Sequence, residues 1–276
     1  MSLGICVKGP EGLVLAAESR VTLGAQSPAG QFIHVNFDNA TKLLSFSPPN
    51  TAVGAVTYGQ AIVGKTGRTA HSFLPEFEAS LDKDRRLKID EFSQALCEFY
   101  VKQWEESPIP DYPGPNMTFV IGGYNEDEHF GRVYTVDLPT NPSVEERNPG
   151  SEQYGVTWGG QREIVDRIIS GFDGRAIEII KGKFNLNDDQ VGELVNDLKQ
   201  FQMPIPLQIL PLQDCVNLAI FFIRTTIDAQ KLTVGIRGVG GPIEVATITR
   251  REGFRYIQRK KVVGEGGKEY GLANGE

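Results

Sequence analysis

Ser2 is the residue with the most chemistry to offer. An initiator Met ahead of so small a residue is normally removed, which would leave Ser2 with a free α-amine. A hydroxyl is a poor nucleophile unless a base stands beside it. An α-amine has an unperturbed pKa of about 7.7–8.0, so near neutral pH it can take a proton. An N-terminal Ser would then carry nucleophile and base in one residue. The other reactive residue types do not assemble. His34, His71 and His129 are isolated in sequence, so neither a His-based triad nor a metal site is expected. Cys6, Cys97 and Cys215 are odd in number and scattered, which suits neither a disulfide framework nor a zinc site and agrees with a reducing cytosol.

One competing pattern is Gly59-Gln60-Ala61-Ile62-Val63-Gly64-Lys65-Thr66, which has phosphate-loop spacing between a strand-like and a helix-like stretch. Residues 133–137, Val-Tyr-Thr-Val-Asp, would be its metal-binding strand. Ile62 and Val63 are branched where such a loop must turn tightly, and the chain opens with hairpins instead of a parallel βαβ core. A nucleotide site is therefore the weaker reading. Gly238-Val239-Gly240-Gly241 enters a strand instead of opening a helix, so it is no dinucleotide signature.

The elements that must position Ser2 come directly after it. Leu3, Ile5 and Val7 alternate with small or polar residues, the period of a half-buried strand. Gly9-Pro10-Glu11-Gly12 is turn chemistry, and residues 13–17 form a second apolar run. The chain thus opens with a hairpin that starts at the hydroxyl residue.

The words Gly12-Leu13-Val14-Leu15-Ala16-Ala17-Glu18-Ser19-Arg20-Val21-Thr22 and Thr41-Lys42-Leu43 resemble the proteasome β-subunits and their bacterial relatives, N-terminal-nucleophile hydrolases. The resemblance covers most of the chain from Ser2 to about Gln258. The sixteen positions from Ser2 to Glu18 match the family's spacing between nucleophile and carboxylate, with Ser2 for its Thr and Glu18 for its Asp. It implies the following roles. Lys42 is the site lysine, whose charge would favour the neutral form of the Ser2 amine. Glu18 pairs with Lys42, and Arg20 supports that carboxylate or a neighbouring loop. Gly59 offers its N–H to the tetrahedral oxyanion. Asp228 helps hold the terminal amine. Gly160 falls where the family has a supporting Ser, and Gly240-Gly241 stands where its Ser-Gly would be. Two hydroxyls that support the site in the family are therefore absent from this chain.

Further along, residues 21–39 are rich in Gly, Ser, Pro and Asn and read as a long loop. Residues 41–47 and 51–58 are apolar runs around Pro48-Pro49-Asn50, a second strand pair. Residues 61–82 turn helical. Ile89, Phe92, Leu96, Phe99 and Tyr100 have the spacing of an amphipathic helix, ended by the prolines of residues 108–115. Strands are expected at 117–124, 132–138 and 154–158, a helix at 162–181, an inserted helix near 186–202, an apolar helix at 214–231 and strands at 243–248 and 254–258. The Gly-rich tail from about residue 264 is expected to be flexible. This order suits an α+β fold. The resemblance specifies a single Ntn-hydrolase domain, a four-layer αββα sandwich of two antiparallel sheets flanked by helices.

The chain has 276 residues, 40% hydrophobic and 23% charged, enough for a sizeable core. A net charge of −7 speaks against a nucleic-acid surface. No apolar run reaches membrane-spanning length, and the N-terminus lacks signal-peptide order, so a cytoplasmic protein is expected. Arg250, Arg251, Arg255, Arg259, Lys260 and Lys261 read as a solvated strand edge or subunit contact, then as an acidic-partner site. The resemblance implies a self-assembling peptidase without a cofactor, acting on peptides or unfolded protein, with an ATPase unfoldase as the partner such assemblies allow. The apolar face of the helix from Ile89 would serve the homo-oligomer. The rival readings are a non-catalytic scaffold subunit of the same fold and an amidohydrolase acting on a non-peptide amide.

Overall fold

The computed structural model describes residues 2–26, 28, 30–149 and 153–265. Among them the chain forms strands β1 (Leu3–Lys8), β2 (Leu13–Glu18), β3 (Val21–Gln26), β4 (Phe32–Phe37), β5 (Leu43–Ser45), β6 (Val53–Gly59), β7 (Met117–Gly123), β8 (Arg132–Leu138), β9 (Asn141–Arg147), β10 (Gly155–Gly160), β11 (Ile243–Thr249) and β12 (Gly253–Gln258). The helices are α1 (Leu74–Ser80), α2 (Ile89–Glu106), α3 (Glu163–Ile169), α4 (Arg175–Phe184), α5 (Asp188–Leu198) and α6 (Leu212–Leu232). The tail beyond residue 265 lies outside the described residues.

Two five-stranded antiparallel sheets dominate, in the orders β10-β1-β2-β11-β12 and β5-β6-β7-β8-β9. Alternation along β1 and β2 explains why both faces are buried. Leu3, Ile5, Val7, Val14 and Ala16 join Val216, Phe222 and Ile223 of α6 in one apolar cluster. Cys6, Leu13, Leu15 and Ala17 face the other way and meet Leu43, Val56 and Val120 of the second sheet. The outer face of that second sheet packs on α1 and α2 through Phe77, Phe92, Leu96, Tyr100 and Phe119. At about 25 cal/mol per Å² of apolar surface removed from water, these three clusters are the main cohesion of the fold.

The expected assembly face is used internally. Ile89, Phe92, Leu96, Cys97, Tyr100 and Trp104 of α2 are buried in the chain's own core, so this helix has no apolar stripe left for a second copy. Tyr100 also donates its hydroxyl to the Ala70 carbonyl at 2.7 Å, within that core. Tyr100→Phe would leave the carbonyl without its donor, and we expect a loss of about 1–2 kcal/mol in urea unfolding.

Four stretches depart from the sequence reading. Residues 21–39 form the β3–β4 ribbon, paired from Val21↔Phe37 to Gln26↔Phe32; its turn-rich composition hides the strand pattern. The strand β9 begins Asn141-Pro142 and lies at a sheet edge, where a proline's missing N–H costs no ladder bond. The single helix expected at 162–181 is broken, because Gly171 takes φ +82°, a left-handed position that ends α3. Asp173 then accepts from the Arg175 N–H at 3.1 Å to start α4. The helical reading of 61–82 holds only from Ala70, where a short 3-10 turn leads into α1.

Candidate active site

Chain direction alone brings the key residues to one end of both sheets. The strands β1 and β2 are antiparallel, with Gly4 opposite Ala17, so the start of β1 at Ser2 lies beside the end of β2 at Glu18. Likewise β5 and β6 are antiparallel, so Lys42, just before β5, adjoins the end of β6. The Thr57 N–H donates to the Lys42 carbonyl at 2.9 Å.

Ser2 is 5% exposed and lines a cleft with Lys42, Thr57, Tyr58, Gly59 and Met117. A second, contiguous cleft continues from Ser2 and Gly59 past Gln60 and Ala61 to the β3–β4 ribbon at Thr22, Leu23 and His34. Gly59 itself has φ +86°, and a Cβ there would lie 1.9 Å from the Asn116 carbonyl oxygen, so only glycine fits this strand end.

Lys42 is the electrostatic centre. Its ammonium donates to Glu18 Oε1 and, at 2.5 Å, to the Arg20 carbonyl. Burial pulls its pKa down from the ordinary lysine value; the Glu18 carboxylate opposes this, while Lys260 and Arg20 add to it. Glu18 is buried too, at 1% exposure. Besides Lys42 it accepts from three backbone N–H groups: Leu3 at 3.2 Å, Arg20 at 2.7 Å and Gly240 at 3.1 Å. Its extra methylene, relative to Asp, therefore does not keep it from the lysine. A buried carboxylate with four donors and a counter-charge is a stable arrangement, whereas an unpaired one is costly.

Arg20 does not touch the Glu18 carboxylate through its side chain. Its guanidinium grips Asp38 at 2.6 and 2.7 Å and donates to the Arg237 carbonyl at 3.0 Å. It thereby ties the segment after β4 to the loop before β11. Asp38 carried no signal in the sequence beyond being acidic. Lys260, one of six residues read as a solvated basic cluster, points inward instead. It pairs with the buried Glu244 at 2.6 Å and donates to the Ala40 carbonyl at 3.0 Å, two residues from Lys42.

Asp228 is placed elsewhere. Its side chain is half exposed and pairs with Lys231 at 3.0 Å, and it lines neither cleft that Ser2 opens into. Gly160 and Gly241 do flank the site, through backbone alone. Gly160 has φ +92°, and a Cβ there would lie 1.9 Å from the Ser2 carbonyl oxygen. At Gly241, φ +75°, a Cβ would lie 2.5 Å from the Asp38 carbonyl oxygen.

The phosphate-loop pattern does not form a cradle. The N–H groups of Val63, Lys65 and Thr66 donate inward to the carbonyls of Arg68, Ser107 and Val63, and β6 lies antiparallel between β5 and β7. A wider polar concavity also reaches Tyr58 and holds Arg147 and Thr118, whose hydroxyl donates to the Asp137 carboxylate. Among the described residues no group of three or more His, Cys, Asp or Glu could hold a metal ion, and no helix is long and apolar enough to cross a membrane.

No family model matches the chain, and no curated protein matches it. Among solved structures, the chain is similar to a mutant of Anbu from Hyphomicrobium sp. strain MC1, with TM-score 0.54 at 13% identity, over 96% of this chain and 88% of that one. The chain shares a fold with Anbu. That likeness spans nearly the whole chain at very few identical positions. At this identity the likeness to Anbu concerns the fold and leaves the site to be argued from this chain's own residues.

Proposed function

We propose that this chain is a proteasome-like N-terminal-nucleophile hydrolase in which Ser2, once Met1 is removed, cleaves peptide bonds. We read its three apolar clusters as the αββα order of four layers that this activity uses elsewhere. The observation that carries the proposal is the buried Lys42–Glu18 pair beside Ser2 in one cleft with Gly59. In the proposed reaction Ser2 Oγ attacks the peptide carbonyl carbon while the Ser2 α-amine takes the hydroxyl proton, directly or through a water. The carbonyl oxygen gains negative charge and is held by the Gly59 N–H and the Lys42 ammonium. The amine then passes the proton to the leaving nitrogen, the C–N bond breaks, and an ester remains on Ser2. Water attacks that ester by the same route and frees the acid.

The placement of Asp228 away from the cleft favours one rival, a scaffold subunit without turnover. A β-lactone separates the two. We expect one label per chain, mapped to Ser2, in protein whose intact mass shows Met1 gone, none in protein that keeps Met1, and none in Ser2→Ala. Labelling at another residue, or none in Met1-free protein, leaves the scaffold reading as the better one. Self-association is part of the proposal. With α2 used internally, it falls to the exposed apolar residues around α6, where Phe221 stands beside Met203, Ile205 and Leu218.

A further inference from the structure

We propose that Gln230 is a positioning residue that locks the turn holding Ser2 to the turn holding Glu18. The proposal rests on the Ser2 reading above and extends it to a residue outside the cleft.

Gln230 sits in the last turn of α6. Its side-chain Oε1 accepts the Val239 N–H at 2.9 Å. That bond fixes which way round the amide sits, so Nε2 is the end that reaches Gln161 Oε1. Each partner leads to the site in one further step. The Gln161 backbone N–H donates to the Ser2 carbonyl at 2.7 Å. The residue after Val239 is Gly240, whose N–H donates to Glu18 Oε2 and whose carbonyl accepts the Ser19 N–H at 3.1 Å. One amide therefore joins the two backbone segments that set where Ser2 and the Glu18–Lys42 pair lie relative to each other.

Both segments are short of side chains. One passes through Gly159-Gly160 and the other through Gly240-Gly241, so neither has a side chain of its own at the turn. Residues 231–237, which lead into the second, are exposed. By contrast α6 is held along its length by Cys215, Ala219, Phe222 and Ile223, each fully buried. A side chain on that helix is a rigid reference shared by the two segments.

The test uses Gln230→Met, which keeps the length of the side chain and removes the amide, in protein lacking Met1. We expect β-lactone labelling to slow tenfold or more. Its rising limb should move to higher pH, because a Ser2 amine farther from the Lys42 ammonium holds its proton more tightly. General loss of stability would reduce the amount labelled without moving that limb. Gln161→Met should act the same way, and the double variant should be no worse than either single one. Amide hydrogen exchange gives a second readout that does not need the chemistry: Gln161 and Val239–Gly240 should exchange faster together in Gln230→Met. An unmoved pH limb, an additive double variant, or faster exchange in only one turn overturns the proposal. If the parent protein is not labelled at Ser2, the Ser2 reading fails and exchange alone decides the link. If Gln230→Met does not fold, Gln161→Met, at the edge of a turn, decides on the same readouts.

Discussion

Lys42→Met should cost about 3–5 kcal/mol in denaturant unfolding and abolish labelling at Ser2. The magnitude follows from burial. The Lys42 side chain is 7% exposed and that of Glu18 is 0% exposed. Removing one partner leaves the other charge in the interior with no counter-charge, the costly way to break a buried pair. Three backbone donors would remain on Glu18, which keeps the loss from running higher. The double variant Lys42→Met/Glu18→Gln should recover most of the stability, since no charge is then stranded, yet stay unlabelled. That split separates the pair's structural role from its chemical one. In the parent protein labelling should rise with pH as the Ser2 amine loses its proton. It should fall again as Lys42 loses its own, below the ordinary lysine value of about 10.4, since burial favours the neutral amine. Lys42→Met protein that unfolds within about 1 kcal/mol of the parent, or labels at the parent's rate, would remove Lys42 from the centre of the site.

How far the site could be read in advance depends on which atoms do the work. The β1–β2 hairpin shows in the alternation of Leu3, Ile5 and Val7, and α2 shows in the spacing of its aromatic residues. Lys42 and Glu18 announce themselves by charge within words that resemble a known family. The β3–β4 ribbon did not show, because its strands are half polar and its composition is that of a loop. The break at Gly171 was hidden inside a helical period. At the site, most of what surrounds Glu18 is backbone N–H, from Leu3, Arg20 and Gly240, which no side-chain pattern can reveal. Gln161 and Gln230 are ordinary residues whose role exists only because the ends of β10 and α6 meet. Asp228 shows the opposite failure. Its position fits the family's word, but near the end of α6 a shift of two residues turns a side chain through about 200°. Gln230, two residues on, is the one that reaches the turns flanking Ser2.

The missing hydroxyls can be tested at Gly160. In sequence it stands where the resemblance places a serine, which suggests a site that has lost a supporting group. The geometry offers a different reason for the glycine. Gly160 is the ladder partner of Leu3, its φ is +92°, and a Cβ would lie 1.9 Å from the Ser2 carbonyl oxygen and 2.8 Å from its carbon. No rotamer relieves that contact, because both atoms belong to backbone. Gly160→Ala must therefore shift the first residue of β1, and with it the bond from the Gln161 N–H to the Ser2 carbonyl. We expect a loss of about 2–4 kcal/mol, from the backbone penalty at positive φ together with the lost hydrogen bond. Labelling at Ser2 should fall about a hundredfold or more, since a displacement near 1 Å at a reacting group costs that much. Gly30→Ala is the control. Gly30 has φ +76° and nothing within 4 Å of the added carbon, so it carries the backbone penalty without moving Ser2 and should label at the parent's rate. Gly160→Ser should fail as Gly160→Ala does, because the clash arises at Cβ before any hydroxyl can help. If Gly160→Ser instead labelled faster than the parent, the glycine would be a lost support after all, and the site would be a degraded version of the family's.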